Sequence, residues 1–284
     1  MKKKIGILGS TGSIGKNTVR IINKNKKEFD VIFLSTNKKV NLLYAQSINL
    51  KPKSVIIFDK EKFLKFRNKF IKKKIKVFNS FNDLKKKIIK GKIDYVMCSI
   101  SGLAGLDSTI NSINITKNIA IANKESIICA WNLIKKKLVL NKTNFIPIDS
   151  EHFSIWSLLE NNSVNSVEKI IITASGGPFL NYKLTKLKNV KPSEAIKHPN
   201  WKMGKNISIN SSNLMNKIFE IIEAKKIFDL PYNKFDIIIH PQSLIHGMIK
   251  YKNGLMKLLY HTPDMAIPLS NAIFNNKILI SDLG

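Results

Sequence analysis

Residues 1–19 read MKKKIGILGSTGSIGKNTV: a short apolar run at 5–8 meets glycines at positions 9, 12 and 15, and then a polar helical pattern. A strand that runs into a glycine turn and a helix has the form of a phosphate-binding loop. The glycines let the backbone close tightly, and the helix N-terminus aims its N–H groups at an anion. The spacing here is G-x-x-G-x-x-G, whereas the best-known dinucleotide fingerprint is G-x-G-x-x-G. The loop alone therefore leaves two readings, a nucleotide site and a plain strand–helix turn.

Outward from the loop, short β-rich runs alternate with helical patterns. The helix at 13–25 is followed by VIFL and 40–49, SVIIF and 60–73, IKVF and 82–90, DYVMCSI and 103–115, NIAIA and 125–138, and then FIPI from Phe145. Such alternation predicts right-handed βαβ units and a mostly parallel sheet covered on both faces, a Rossmann-like domain over 1–148. After Pro147 the rhythm loosens into IIITASGG, a Lys- and Asn-rich stretch, the irregular HPNWKMGK, a helix over 213–228 and the strand DIIIHPQS. The expected fold class is α/β, with a second α/β domain over 149–284 that carries a lid-like loop near 198–206.

Composition narrows the function. The 284 residues are 44% hydrophobic, enough for a sizeable core. Cys98 and Cys129 are far apart with no C-x-x-C spacing, which argues against a disulfide framework or thiolate metal site and fits a reducing cytoplasm. The basic start resembles a signal peptide only until its apolar run ends in Gly, Ser and Thr, so no export signal is expected. No apolar run approaches the roughly 18 residues of a membrane span. The net charge of +29 would attract nucleic acid, yet Arg20 and Arg67 are the only arginines. Lysine-for-arginine usage with abundant Asn and Ile is the mark of an AT-rich genome, and nucleic-acid readers favour Arg. Within 60–78, Phe63, Phe66 and Phe70 fall at i, i+3, i+7, a core-facing helix stripe opposite a solvated lysine face. Neither nucleic acid nor membrane is the expected partner.

An NAD site places Asp or Glu about 20 residues beyond the glycine loop, on the ribose hydroxyls. Here VIFL runs into Ser35-Thr36-Asn37-Lys38-Lys39, with ammonium groups where that carboxylate would stand, which favours NADP. Further on, FIPIDSEHF puts Asp149 and Glu151 two apart at the end of a predicted strand and so on one side of it. Two such carboxylates repel unless a hard divalent cation, Mg2+ or Mn2+, neutralises them. A third ligand is available in MNKIFEIIEAKK, where Asn216, Glu220 and Glu223 share a helix face beside Lys217. An exposed Glu-Lys face with a helix cap at Asp149 or Ser150 fits the same pattern. TASGGPF offers Ser175 and a Gly176-Gly177 turn to an anion, with Ser211, Asn216 and Lys217 as partners, though an ordinary glycine turn reads alike. HPNWKMGK has the make-up of a mobile lid or of a surface loop with Trp201 packed on the body, and His240 is a catalytic or a core histidine.

In order along the chain, GSTGSIG, ANKES, PIDSEH, GGPF, HPNW, MNK, IEA and IHPQS resemble the 1-deoxy-D-xylulose 5-phosphate reductoisomerase family. The resemblance spans nearly the whole chain. It implies an NADPH- and metal-dependent enzyme of non-mevalonate isoprenoid synthesis, acting as a homodimer on a small phosphorylated sugar. Thr11, Gly12, Ser13 and Ile14 would hold the NADPH pyrophosphate, and Asn37, Lys38 and Lys39 its 2′-phosphate. Asn123, Glu125 and Gly204 would complete the cofactor site. Asp149, Glu151 and Glu220 would bind the metal and, with Lys124, form the catalytic set. Lys124, Ser150, Glu151, Ser175, His198, Ser211, Asn216, Lys217 and Glu220 would contact substrate, under a lid that includes Trp201 and Met203. The family often has Gly and Asn at the positions of Asn37 and Lys39, and Asp at that of Asn210. It also continues into a C-terminal helical domain beyond ISDLG, so that domain is expected to be missing here. Three alternatives remain at this stage. One is a truncated or degenerate inactive homologue. Another is a different NADP-dependent dehydrogenase, such as a semialdehyde dehydrogenase with a catalytic cysteine, and the last is a non-enzymatic NADP- or nucleic-acid-binding protein.

Overall fold

The apolar run behind the basic N-terminus forms β1 (Lys3–Leu8), whose last four residues are fully buried. In the computed structural model, which describes residues 1–159, 162–197, 201 and 204–277, this strand lies in the middle of a seven-stranded sheet. The other strands are β2 (Phe29–Thr36), β3 (Ser54–Ile57), β4 (Lys76–Phe78), β5 (Ile93–Cys98), β6 (Thr116–Ile121) and β7 (Asn144–Pro147), in the order β4-β3-β2-β1-β5-β6-β7. Every neighbouring pair is parallel. Continuous apolar runs such as Val31 to Leu34, all buried, are what a sheet covered on both faces requires.

The crossovers are α1 (Ser13–Lys24), α2 (Val40–Leu50), α3 (Lys60–Ile71), α4 (Phe81–Ile88), α5 (Leu106–Ile113) and α6 (Lys124–Leu140). One expected helix differs. Residues 103–115 open with a separate 3₁₀ turn, Leu103–Gly105, because Gly102 at φ +73° breaks the entry and Gly105 sits tight against the Ile100 carbonyl. The strand order reverses between β1 and β5, and in such sheets the ligand crevice lies at the carboxyl ends of the strands at that reversal.

The chain divides into two compact units, Met1–Ile148 with the residues from Leu269 on, and Asp149–Pro268. The second unit contains α7 (Ser150–Leu159), β8 (Val167–Ala174), α8 (Leu184–Leu187), α9 (Pro192–Ala195), α10 (Lys205–Ser212), α11 (Met215–Phe228), β9 (Phe235–Ile239), β10 (Ile245–Tyr251) and β11 (Met256–Tyr260). Its sheet runs β11-β10-β8-β9, with β8 and β9 parallel and β10 antiparallel to both its neighbours. Ile155 of α7, Ala224 and Phe228 of α11, and Ile170, Ile172 and Ile249 of the sheet form one core. That shared core fixes α7 and α11 side by side.

Two boundaries differ from the sequence reading. α10 starts at Lys205, so the end of the loop expected near 198–206 is helical, while His198 and Met203 lie outside the described residues. The last helix, α12 (Ala266–Phe274), packs from Leu269 with the first unit and not with the expected 149–284 domain. The cause is local: Phe274 meets Phe29 edge-on at 5.5 Å, and Lys3 Nζ donates to the Ile273 carbonyl. No helix among the described residues is long and apolar enough to cross a membrane.

The glycine turn is closely packed. A Cβ on Gly15 would lie 2.1 Å from the Gly9 carbonyl oxygen, a contact that only a backbone shift relieves. Gly15→Ala is therefore expected to lower the unfolding free energy by about 2 kcal/mol, read from urea denaturation.

Candidate active site

The first candidate cluster forms where β1 and β5 end. Gly9 sits at φ +80°, and a Cβ there would lie 2.7 Å from the Ser99 carbonyl oxygen, so conformation and space both demand glycine. Gly12 is the extended N-cap of α1 and no side chain caps the helix, which leaves its first-turn N–H groups, Ser13 and Ile14 among them, as helix-end donors. β2 braces the loop: Gly9 N–H donates to Ser35 Oγ at 2.8 Å, and the Thr11 and Thr36 hydroxyls are 2.7 Å apart. A cavity of about 350 Å³ lies against it, walled by Thr11, Gly12, Asn37, Lys38 and Lys39 with Ser99 to Ser101 opposite.

Asn123 acts one step away. It is buried and accepts from Ser126 N–H at 2.7 Å as the cap of α6, while its Nδ2 donates to the carbonyls of Gly102, at 2.8 Å, and Ile100. Its bonds hold the segment after β5 that walls the cavity. Lys124, half-buried, and Glu125, exposed, open α6, and Gly204 is the exposed N-cap of α10 in the second unit.

The second cluster belongs to the second unit. Asp149 and Glu151 do come together, but not as alternate residues of a strand. β7 has ended at Pro147, Asp149 accepts from Glu151 N–H at 3.3 Å as a helix cap, and Glu151 stands in the first turn of α7. The cap and the carboxylate pair are thus one feature. Glu220 arrives from α11, and one oxygen each of Asp149, Glu151 and Glu220 lie within 4.8 Å of one another.

Neighbours bind this cluster tightly. Lys217 Nζ donates to Glu220 Oε2 at 2.7 Å and to Glu151 Oε1, Asn216 Nδ2 to Glu220 Oε1, and Ser150 Oγ to Glu151 Oε2. His152 Nε2 bonds the Glu220 carbonyl oxygen at 2.8 Å, and its Nδ1 lies 4.0 Å from Asp149 Oδ1 and 3.9 Å from Glu223 Oε2. Glu223 shares the helix face of Glu220 but turns toward His152. Burial, then the Glu220 carboxylate, pushes the Glu151 carboxyl up to about 8, against the pull of Lys217. Burial opposes the Lys217 charge, but the attraction of Glu151 and Glu220 overcomes it and raises the ammonium above its usual range. When all four groups are ionised, three carboxylates and one ammonium leave two negative charges. An all-oxygen donor set with that residual charge fits one hard divalent cation.

The glycine turn after Ser175 packs against the Ser211 backbone. Gly176 and Gly177 take φ of +84° and +72°, and a Cβ on Gly177 would lie 2.7 Å from the Ser211 carbonyl oxygen. Leu214, at φ +61°, then reverses the chain from α10 into α11 and delivers Asn216 and Lys217. These two engage the carboxylates, where the sequence reading grouped them with Ser175 and Ser211, because a buried ammonium pairs with the nearest buried anion.

Trp201 packs on the body: its ring stands 5.7 Å from that of His246, which stacks on His261 at 3.9 Å. Burial, reinforced by His261, holds the His246 imidazole down to about 4. Sequence reasoning missed this pair and His152. A strand histidine carries no pattern of its own, whereas the Glu151-His152 dipeptide was a usable signal. His240 is half-buried and its Nε2 accepts from Leu244 N–H at 3.2 Å, so it ties its own turn. Burial pushes the Cys98 thiol up to about 12, which makes it a poor nucleophile, and Cys129 is exposed on α6.

The profile of the 1-deoxy-D-xylulose 5-phosphate reductoisomerase family matches residues 5–131, and that of the same enzyme's C-terminal domain matches 145–228. The chain is 54% identical to the 1-deoxy-D-xylulose 5-phosphate reductoisomerase of Pelagibacter ubique, over 96% of this chain and 71% of that protein. It is 43% identical to that of Caldanaerobacter subterraneus, over 95% and 70%. Among solved structures it is similar to the Zymomonas mobilis reductoisomerase in complex with NADPH, at 33% identity and a TM-score of 0.87 over 96% and 70% of the two chains. A DOX-P reductoisomerase in complex with NADPH, fosmidomycin and magnesium gives 30% and 0.90 over 98% and 71%.

The crowded carboxylates give a pH signature. Without metal, Glu151 keeps its proton to about 8 when folded but only to 4.5 as an ordinary carboxyl. The folded state binds more protons between those values, so stability falls as pH rises through the window. Urea unfolding in EDTA should show that decline, and Glu151→Gln should flatten it.

Proposed function

The chain belongs to the 1-deoxy-D-xylulose 5-phosphate reductoisomerase family, and on that basis we propose that it converts 1-deoxy-D-xylulose 5-phosphate to 2-C-methyl-D-erythritol 4-phosphate in non-mevalonate isoprenoid synthesis. It is an NADP-dependent oxidoreductase. The reading includes one divalent cation, Mg2+ or Mn2+, and action as a homodimer in the cytoplasm. The observation that carries it is the Asp149–Glu151–Glu220 cluster, an all-oxygen donor set that has two excess negative charges once Glu151 ionises, which one divalent cation would balance. Held by these three carboxylates, a divalent cation would supply Lewis-acid polarisation of the substrate's oxygens for the rearrangement to a branched aldehyde phosphate.

The chain's own residues divide the remaining work. Thr11, Gly12, Ser13 and Ile14 hold the pyrophosphate of NADPH, and Asn37, Lys38 and Lys39 hold its 2′-phosphate, where the absence of a carboxylate in the loop spares that dianion repulsion. Asn123, Glu125 and Gly204 complete this cofactor set, Asn123 by shaping the cavity wall. Asp149, Glu151 and Glu220 hold the cation. With their charge balanced, Lys217 and Asn216 would be free to turn to the substrate with Ser150, Ser175, His198 and Ser211. Ser175, whose Oγ accepts from Gly177 N–H at 3.2 Å, and Ser211, whose backbone packs against Gly177, suit its phosphate. Lys124 would stabilise oxyanion charge as it develops, and NADPH, when bound, would supply the hydride for reduction of the aldehyde.

NADPH oxidation, followed with 1-deoxy-D-xylulose 5-phosphate and Mn2+ or Mg2+, tests the reading. Turnover should vanish in EDTA, and Glu151→Gln or Glu220→Gln should lower kcat by about a hundredfold or more. Turnover indifferent to both would contradict the metal assignment.

A further inference from the structure

The lysine loop after β2 has a second side. Lys38 and Lys39 wall the 350 Å³ cavity at the glycine turn, and they also wall a separate recess of about 210 Å³. The recess is completed by Val40 and Leu42 of α2 and by Lys62 and Phe66 of α3. The register between β2 and β3, with Thr36 opposite Ile57, sets the first turn of α3 beside this loop. Lys62 and Phe66 stand one helical turn apart and are half-buried, while Lys60 and Lys65 are exposed. Lys62 is thus not one more solvated lysine of the helix.

Its charge is also uncompensated. The Asp59 carboxylate accepts from the backbone N–H of Lys62 at 2.9 Å as the cap of α3, and neither Asp59 nor Glu61 lines the recess. Among the described residues no hydrogen bond or ion pair engages the ammonium groups of Lys38, Lys39 or Lys62. Three like charges on one small recess repel, and a phosphate monoester dianion among them turns that repulsion into attraction.

We propose that Lys62 is a third cationic contact for the 2′-phosphate of NADPH and, with Lys38, sets this chain's preference for NADPH over NADH. The proposal rests on the NADPH reading above and extends it from the loop at 37–39 to the next helix. Leu42 and Phe66 line the same recess as Lys62 and give apolar surface along which a lysine stem can lie with its ammonium at the loop.

Calorimetric titration of the full chain with NADPH and NADH, and with 2′,5′-ADP and 5′-AMP, decides the matter. Lys62→Gln should weaken NADPH and 2′,5′-ADP about tenfold and leave NADH and 5′-AMP within about twofold. Lys62→Glu should weaken the first pair further, and Lys62→Arg should restore them. If both neutral and acidic variants left the NADPH-to-NADH ratio unchanged while Lys38→Gln reduced it, the role of Lys62 would be overturned and the NADPH reading would stand. A parent chain that bound NADH as tightly as NADPH would overturn both.

Discussion

Three carboxylates held within 4.8 Å of one another around a single buried ammonium are the constraint on which the second unit depends. Burying like charges so close is costly, and the cost appears as the upward push on Glu151. A fold selected for stability alone would have replaced them with apolar side chains, since buried ion clusters rarely repay their desolvation. The structure instead commits two helices to holding them. Ile155, Ala224 and Phe228 clamp α7 and α11 onto one sheet face, His152 ties α7 to the Glu220 carbonyl, and Asp149 caps the helix that carries Glu151.

In the proposed reading the first unit meets the opposite demand, that of holding the anions of NADPH, by the same economy of placement. Its glycine loop is closed by contacts that leave no room for a side chain at Gly9 or Gly15, and β2 fixes it through Ser35 and Thr36. The strand that supplies these hydroxyls continues into the lysines, so one element braces the glycine turn and presents positive charge beyond it. Here the net charge of +29 becomes specific: of many lysines, Lys38, Lys39 and Lys62 share one recess.

Much of this was legible because it is local. The alternation of apolar runs with helical patterns needs only neighbours in sequence, and the parallel sheet follows from it. The Asp149-Ser150-Glu151 triplet was legible as residues but not as geometry: period-two reasoning assumed a strand where a helix cap brings the pair together. Long-range effects were harder to read. Lys217 and Asn216 choose between an anion turn and the carboxylates according to which charge lies nearest in the fold. The docking of α12 on the first unit depends on Phe29 and Lys3, more than 240 residues earlier in the chain. His246 and His261 face each other only through the register of adjacent strands, and no pattern in either segment announces it.

The central claim is that the charge left over at Asp149, Glu151 and Glu220 is there to hold one divalent cation. Anomalous diffraction from crystals equilibrated with Mn2+ tests it most directly. The expected result is one strong peak bonded to an oxygen of each of the three carboxylates, with Lys217 Nζ withdrawn from Glu151. No peak at saturating Mn2+, or a peak bound elsewhere while Lys217 keeps both its carboxylate partners, would contradict it.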